Sequence, residues 1–458
     1  MDVYNLWSLR LGFSGKEAKL IEEQGIKRFL ENSFKAKVPT DAPPLITAIP
    51  HTAAENKAYK TKMAATDAGR DEAKKLDAES RYDMKAWWLK KMDTGTYPLR
   101  EKMVLFWHNH FVVGTNGVNL LYWQYQHNSL LRTHAFGNFR ELTKKVIQTN
   151  AMVEYLDNNK NRKGKFNENL SRELLELFTL GVGNYTEQDI KNGAKGLAGL
   201  AYSDDNAQYV PKFENQEPFS YFGKTGNFKV NDMVNIIFEQ KSAPYHITRK
   251  LLKWFIYDNP PEDLVKYYGD YLRKVDYEIE PLLEKMAAEE FNKPTAGSKI
   301  KDPLVYILQI INELGFKNVD YTLVQFYLRN QSMDLYNQQN VKGWVGGNSW
   351  LSAQLFMQRN NVADQLCRGK LLNKSIAAGV AAQDLKNFSP HLKWNAKEGY
   401  RQVIASLKDR LIFAADDNLQ NNFEAILKHD FDPAGPSAQN GVAQLFNYMV
   451  KTPEFQLI

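Results

Sequence analysis

Residues 106–111 read Phe-Trp-His-Asn-His-Phe, two histidines set among large aromatics. Histidine titrates near neutrality, ligates metals and shuttles protons, so His108 and His110 are candidates for catalysis or metal binding. The dull alternative, two core histidines with satisfied ring nitrogens, is preferred for either residue taken alone. A second set lies in Phe-Asn-Glu-Asn-Leu-Ser-Arg-Glu-Leu-Leu-Glu-Leu-Phe over residues 166–178. On a helix Asn169, Glu173 and Glu176 form one stripe, flanked by Arg172. Two carboxylates one turn apart are what a hard cation, or a di-metal site in a helical bundle, requires. The di-iron pattern also wants a histidine three residues after a glutamate, and none follows here. A third set, Asp157, Asn159 and Asn161, alternates like the start of an EF-hand loop. Its glycine, Gly164, comes two residues late and basic residues intervene, so a turn-rich surface loop is preferred over a Ca²⁺ loop.

Several elements must position these groups. Residues 98–113 are apolar nearly all round, from a first-turn proline, Pro98, to Gly114, and predict a buried central helix. On its wheel His108 and His110 point about 160° apart, so they cannot share one ion. Residues 166–181 predict a single helix with Leu170, Leu174, Leu177 and Phe178 on its packed face. Residues 15–34 predict one or two short helices, residues 53–92 a long amphipathic helix ending at Trp87 and Trp88, and residues 298–316 a strong helix stopped by Gly315. Strand signals are scarce, and a small β-hairpin or ordered loop is expected near 207–230. The fold class is mainly α and multi-helical. Three units are expected: an N-terminal helical subdomain (1–97), a central core carrying the histidine and carboxylate motifs (98–295), and a C-terminal helical subdomain (296–458). The loop 337–350, with Trp344 and Trp350 among glycines, is either a sugar-stacking platform or a packed loop, and the packed loop is preferred.

Composition narrows the class. The chain has 458 residues, 43% hydrophobic and 24% charged, with a net charge of +6 spread without a basic block. That is globular, and it disfavours nucleic-acid binding. A single cysteine, Cys367, excludes an intramolecular disulfide framework. No stretch reaches the roughly 18 apolar residues of a membrane span. The first residues lack the basic start and apolar run of a leader.

The chain resembles the domain of unknown function 1800 family of bacterial proteins. The resemblance rests on the early Arg-Leu-Gly-Phe, on 98–111 and 151–190, on Gly-Lys-Thr-Gly-Asn-Phe (223–228) and Lys-Leu-Leu-Lys-Trp-Phe (250–255), and on 340–350 and the closing Pro-Glu-Phe-Gln-Leu. It implies a helical fold, export to the periplasm or beyond, a leader ahead of Met1, and a partner from an uncharacterised sulfatase-like family. It implies no activity. Two departures stand out: Glu214-Asn215 where similar chains carry His-Asp, and Gln338-Gln339 where they carry Pro-Pro.

The leading expectation is an exported helical protein using a divalent metal for hydrolytic or oxidative chemistry on polymer-derived or cell-envelope material. Arg172, Glu173 and Glu176 would face inward and receive one histidine of the central helix, with Asn167, Glu168 and Asn169 as a structural polar network. The rival is a non-catalytic scaffold or a protein binding a carbohydrate ligand. A third reading is a haem-containing oxidoreductase, which no haem-attachment motif supports.

Overall fold

The helix Leu99–His110 is the axis on which the rest is packed: eleven of its twelve residues are buried, three of them charged. Burial of charge is tolerable only with partners, and each has one. Glu101 takes both a two-pronged bond from Arg132 (2.7 and 2.9 Å) and the Trp88 indole N–H (2.8 Å). Lys102 faces Asp302 at 3.5 Å. Arg100 donates to the Phe34 and Ala36 carbonyls. The helix is thereby tied to Asp67–Thr94, Leu121–Thr133 and the N-terminus of Pro303–Glu313.

In this computed structural model residues 1–369, 390–428 and 430–458 are described. The chain is mainly α-helical, 60% in helices, with two small antiparallel pairs among the described residues. One pair joins Phe219–Tyr221 to Lys224–Gly226, within the stretch expected to hold a hairpin, and the other joins Leu200–Ala201 to Gln208–Tyr209. Buried side chains from Leu6 to Ile458 form one contiguous apolar cluster. Among the described residues no helix is long and apolar enough to cross a membrane.

Several boundaries differ from the sequence reading, each for a local reason. The expected long helix over 53–92 is two, Ala53–Ala64 and Asp67–Thr94, because the Thr66 side chain caps the second by accepting from the Gly69 N–H. The central helix ends at His110, ahead of Gly114. The Phe111 carbonyl turns aside to accept from His127 Nε2 at 3.1 Å, and Val112 and Val113 leave the helix. The helix expected over 298–316 spans Pro303–Glu313. Asp302 caps it through the Val305 N–H, while the backbone of Lys299 and Lys301 pairs with Ile458 and Gln456 at the chain's end.

Candidate functional site

His108 and His110 leave the central helix in different directions and meet different elements. His108 Nε2 accepts the Tyr336 backbone N–H at 3.1 Å, and its ring stands edge-on to Trp88 and Tyr336. Its exposure is 1%, and burial pushes its pKa down to about 3. His110 Nε2 lies 3.0 Å from the Phe178 carbonyl, so the proton sits there and Nδ1 is left as an acceptor, 3.2 Å from Lys250 Nζ. Burial holds it neutral far below its ordinary pKa.

The carboxylate motif departs from a continuous helix. Asn169–Glu173 is α, but Leu174–Thr179 is a π-turn, in which the Leu180 N–H reaches back five residues to the Leu175 carbonyl. Thr179 Oγ1 donates to the Leu174 carbonyl at 2.5 Å. The surplus residue of a π-turn rotates later carbonyls out of the helical ladder, a feature concentrated at functional sites. Here the Leu177 carbonyl accepts from His246 Nε2 (2.9 Å) and Lys250 Nζ (3.0 Å), beside the Phe178 carbonyl held by His110. A histidine of the central helix thus meets the backbone of the carboxylate helix. It bonds to neither Glu173 nor Glu176.

The acidic stripe is spread over separate partners. Glu176 accepts the Tyr185 hydroxyl at 2.7 Å. Glu173 is half-buried, and desolvation with the neighbouring Glu176 charge raises its pKa. Arg172 makes its two-pronged bond to Glu187 (2.9 Å each) and a longer one to Glu168 (3.3 Å), so its carboxylate partners lie outside the stripe. Asn167 orders the preceding loop: its side chain accepts from the Asn169 N–H and donates to the Asp157 carbonyl, while its own N–H goes to Asn161 Oδ1. That loop is built on a different period from the alternating one read in the sequence. The short 3₁₀ turn Asn158–Lys160 brings Asn158 and Asn161 together, both 1% exposed, to hold the carbonyls of Ala194, Leu197 and Leu200. Asp157 pairs with Lys160 at 2.7 Å, and Asn159 Oδ1 has no hydrogen-bond partner among the described residues. Among the described residues no three His, Cys, Asp or Glu side chains come together as a metal-ligating group.

The two positions that depart from similar chains are both occupied structurally. Glu214 pairs with Lys229 at 2.8 Å, and Asn215 is buried and bonds to the Glu217 carbonyl. Gln338 is buried and donates to the His108 carbonyl at 3.1 Å.

What the structure does bring together is a cleft of about 270 Å³ beside the π-turn. One wall is the face of the central helix bearing Phe106, Asn109 and His110. The facing wall is Ala243–Phe255, which presents Lys250, Lys253 and Trp254 at i, i+3 and i+4. The loop 337–350 roofs it with Lys342, Trp344 and Trp350, and Asp258 and Lys299 also line it. The roof sits close because Gly343 (φ +80°) has no side chain. A Cβ there would stand 2.4 Å from Asn109 Oδ1, which accepts the Trp344 N–H at 2.6 Å.

Four lysines against one carboxylate, Asp258, make the cleft electropositive. Asp258 lies 3.8 Å from Lys299, whose pKa burial lowers to about 8. Burial, then the neighbouring Lys253 charge, brings Lys250 to about 8 as well. Lys342 acts electrostatically on Glu173, linking the roof to the carboxylate helix. Among the described residues Trp254 Nε1 and Asp258 Oδ1 are buried with no hydrogen-bond partner, and Asp258 Oδ1 is the atom that faces Lys299.

The lysines were missed in the sequence because a charged side chain on an amphipathic helix reads as solvated. The available signal was the K-x-x-K-W spacing of 250–254, which puts two amines and an indole on one face. No curated protein and no solved structure matches the chain. Over residues 6–457 it matches the family described as Protein of unknown function (DUF1800), and it belongs to that family.

Proposed function

We propose that the protein binds an acidic carbohydrate in this cleft, of the kind released from polymers or cell-envelope material, through a carboxylate or sulfate group. The observation that carries the reading is the lining itself: Lys250, Lys253, Lys299 and Lys342 set among Trp254, Trp344 and Trp350. Lysines focus a positive potential on a partly desolvated space and draw anions into it. Indole rings give apolar faces on which the C–H face of a sugar ring can rest. The volume suits one or two sugar residues. Asp258, the acidic group in the lining, is held by the Ile300 N–H at 2.8 Å and faces Lys299, so it tempers the positive charge without cancelling it.

The metal-assisted hydrolytic or oxidative reading draws less support, since Glu173 and Glu176 reach no third ligating side chain among the described residues. The haem reading draws none from His110, both of whose ring nitrogens are committed to protein partners. Action outside the cytoplasm, beside a sulfatase-like partner, belongs with this proposal, because such a partner would handle the same acidic sugars.

Tryptophan fluorescence titration tests it. Galacturonate oligomers and sulfated sugars should change the emission saturably at low salt, weaken at high salt, and lose affinity in Lys253→Met and Trp254→Ala. The two ligand series separate carboxylate from sulfate recognition. Equal response to neutral glucose oligomers, or no saturable response to either acidic series, would reject the reading.

A further inference from the structure

The Lys250 amine is held in a way that binding an anion does not require. A neutral amine has two N–H groups and one lone pair. Lys250 Nζ has two acceptors, the Leu177 carbonyl at 3.0 Å and His110 Nδ1 at 3.2 Å. Both are fixed from behind. The Leu177 carbonyl projects from the π-turn and is shared with His246 Nε2, and the His110 ring is locked by its Nε2 bond to the Phe178 carbonyl. With both N–H groups so directed, the lone pair takes the one remaining tetrahedral direction, and Lys250 is one of the side chains that line the cleft.

Two buried lysines that also carry a depressed pKa, Lys299 and Lys102, are arranged differently. Lys299 has Asp258 at 3.8 Å and Lys102 has Asp302 at 3.5 Å. Among the described residues Lys250 makes no ion pair, and the charge that acts on it is another cation, Lys253. Desolvation beside a second cation is a recognised way to free a lysine as a nucleophile.

We propose that Lys250 is a carbonyl-capturing residue that forms an imine with an aldehyde or ketone borne by an anionic ligand. This rests on the cleft's reading as an acidic-sugar site, since an open-chain uronic acid carries both groups. The lone pair forms the N–C bond as the carbonyl π pair moves to oxygen. The nitrogen then gives up one proton to that oxygen, making a carbinolamine. The nitrogen lone pair then forms the C=N bond as the C–O bond breaks, and the oxygen takes the nitrogen's second proton and leaves as water, so that the imine remains. Addition of water reverses the sequence, and no oxidant or reductant takes part. His110 is a positioning residue here: its Nδ1 sets the direction of one N–H and therefore of the lone pair.

The test is reductive trapping on the full chain. Protein is incubated with glucuronate or glyoxylate and cyanoborohydride, and adducts are located by peptide mass mapping. The expected product is one dominant adduct on Lys250, formed about tenfold or more faster than on any exposed lysine, whose ordinary pKa leaves far less neutral amine. Its rate should rise with pH through about 8. Lys250→Arg should abolish it, and His110→Gln should slow it and shift its dependence on pH. Adducts scattered over surface lysines, or an unchanged pattern in Lys250→Arg, would overturn the proposal. Mapping of the wild-type protein decides the matter even if a variant fails to fold. Saturable uronate binding without a Lys250 adduct defeats the imine alone, whereas a selective Lys250 adduct without uronate binding upholds it and defeats the acidic-sugar reading.

Discussion

Asn109 and Gly343 meet almost atom to atom: the Asn109 side-chain oxygen accepts the N–H of the residue after Gly343, at 2.6 Å, where no Cβ would fit. The left-handed backbone of Gly343 adds a second reason for glycine. Gly343→Ala should therefore lose more than about 1–2 kcal/mol of stability and lift the 337–350 loop off the central helix. Urea melts report the first effect. Trp344 and Trp350 fluorescence, with weaker binding of acidic sugars, reports the second.

Glu101 and Arg132 are both nearly inaccessible, and Trp88 depends on the same carboxylate. Removing the Glu101 charge strands a buried guanidinium. Glu101→Gln should destabilise by about 3 kcal/mol or more. A denaturant midpoint within a few tenths of the wild type would mean that water or a shifted side chain compensates Arg132.

Acid should unfold the protein through its histidines. His108 and His127 are buried, with pKa values lowered by desolvation to about 3 and about 4. The unfolded chain, with histidines near 6.5, binds more protons as the pH falls, so stability is full above about 6.5 and is lost progressively down to about 4 and below. His127 alone accounts for something on the order of 3 kcal/mol over that window. Stability measured from pH 8 to pH 4 should fall in the wild type and fall less steeply in His127→Gln.

Glu17 shows the opposite dependence. It is buried beside Ser8, whose hydroxyl lies 3.1 Å from its carboxylate, and burial raises its pKa to about 7. The folded state holds the proton that the unfolded state has released, so this contribution to stability is intact below about 4.5 and lost as the pH rises through 7. Glu17→Gln should accordingly gain on the order of 3 kcal/mol at pH 8.5 and change little at pH 4. A variant less stable at both pH values would show that the carboxylate is needed as an acceptor.

Glu176→Gln should be mild. The sequence favours an inward acidic cluster, for which losing one member costs about 3 kcal/mol or more. Among the described residues the half-buried side chain has one hydrogen-bond partner, Tyr185, and an amide oxygen can take the place of the carboxylate oxygen. A change under about 1 kcal/mol in denaturant melts is expected.

The contrast between these residues shows what was legible in the chain. The opposed directions of His108 and His110 follow from 100° per residue and needed no tertiary information. So did the buried central helix, whose apolar residues leave no wet face. The π-turn left no trace in Leu-Leu-Glu-Leu-Phe-Thr, because its extra residue is accommodated by neighbours: His110, His246 and Lys250 from elements far away in sequence. The pairing of Asn158 with Asn161 was hidden for a related reason, since alternation suits an extended loop and a 3₁₀ turn repeats every three. Lys250 and Lys299 were invisible as site residues because their burial is decided by the roof and by the chain's end packing over them.

The π-turn also bears on how this cleft could arise or vanish. Deleting one residue from Leu174–Thr179 would return the segment to α register, and the Leu177 and Phe178 carbonyls would fold back into the helix's own ladder. Lys250 and His110 would keep their identities and their places on their own helices yet lose the acceptors that aim them. In such a lineage every side chain that lines the cleft could be unchanged while the amine was disarmed, so the decisive mutation is an insertion or deletion, of a kind that residue-by-residue comparison of the lining would overlook.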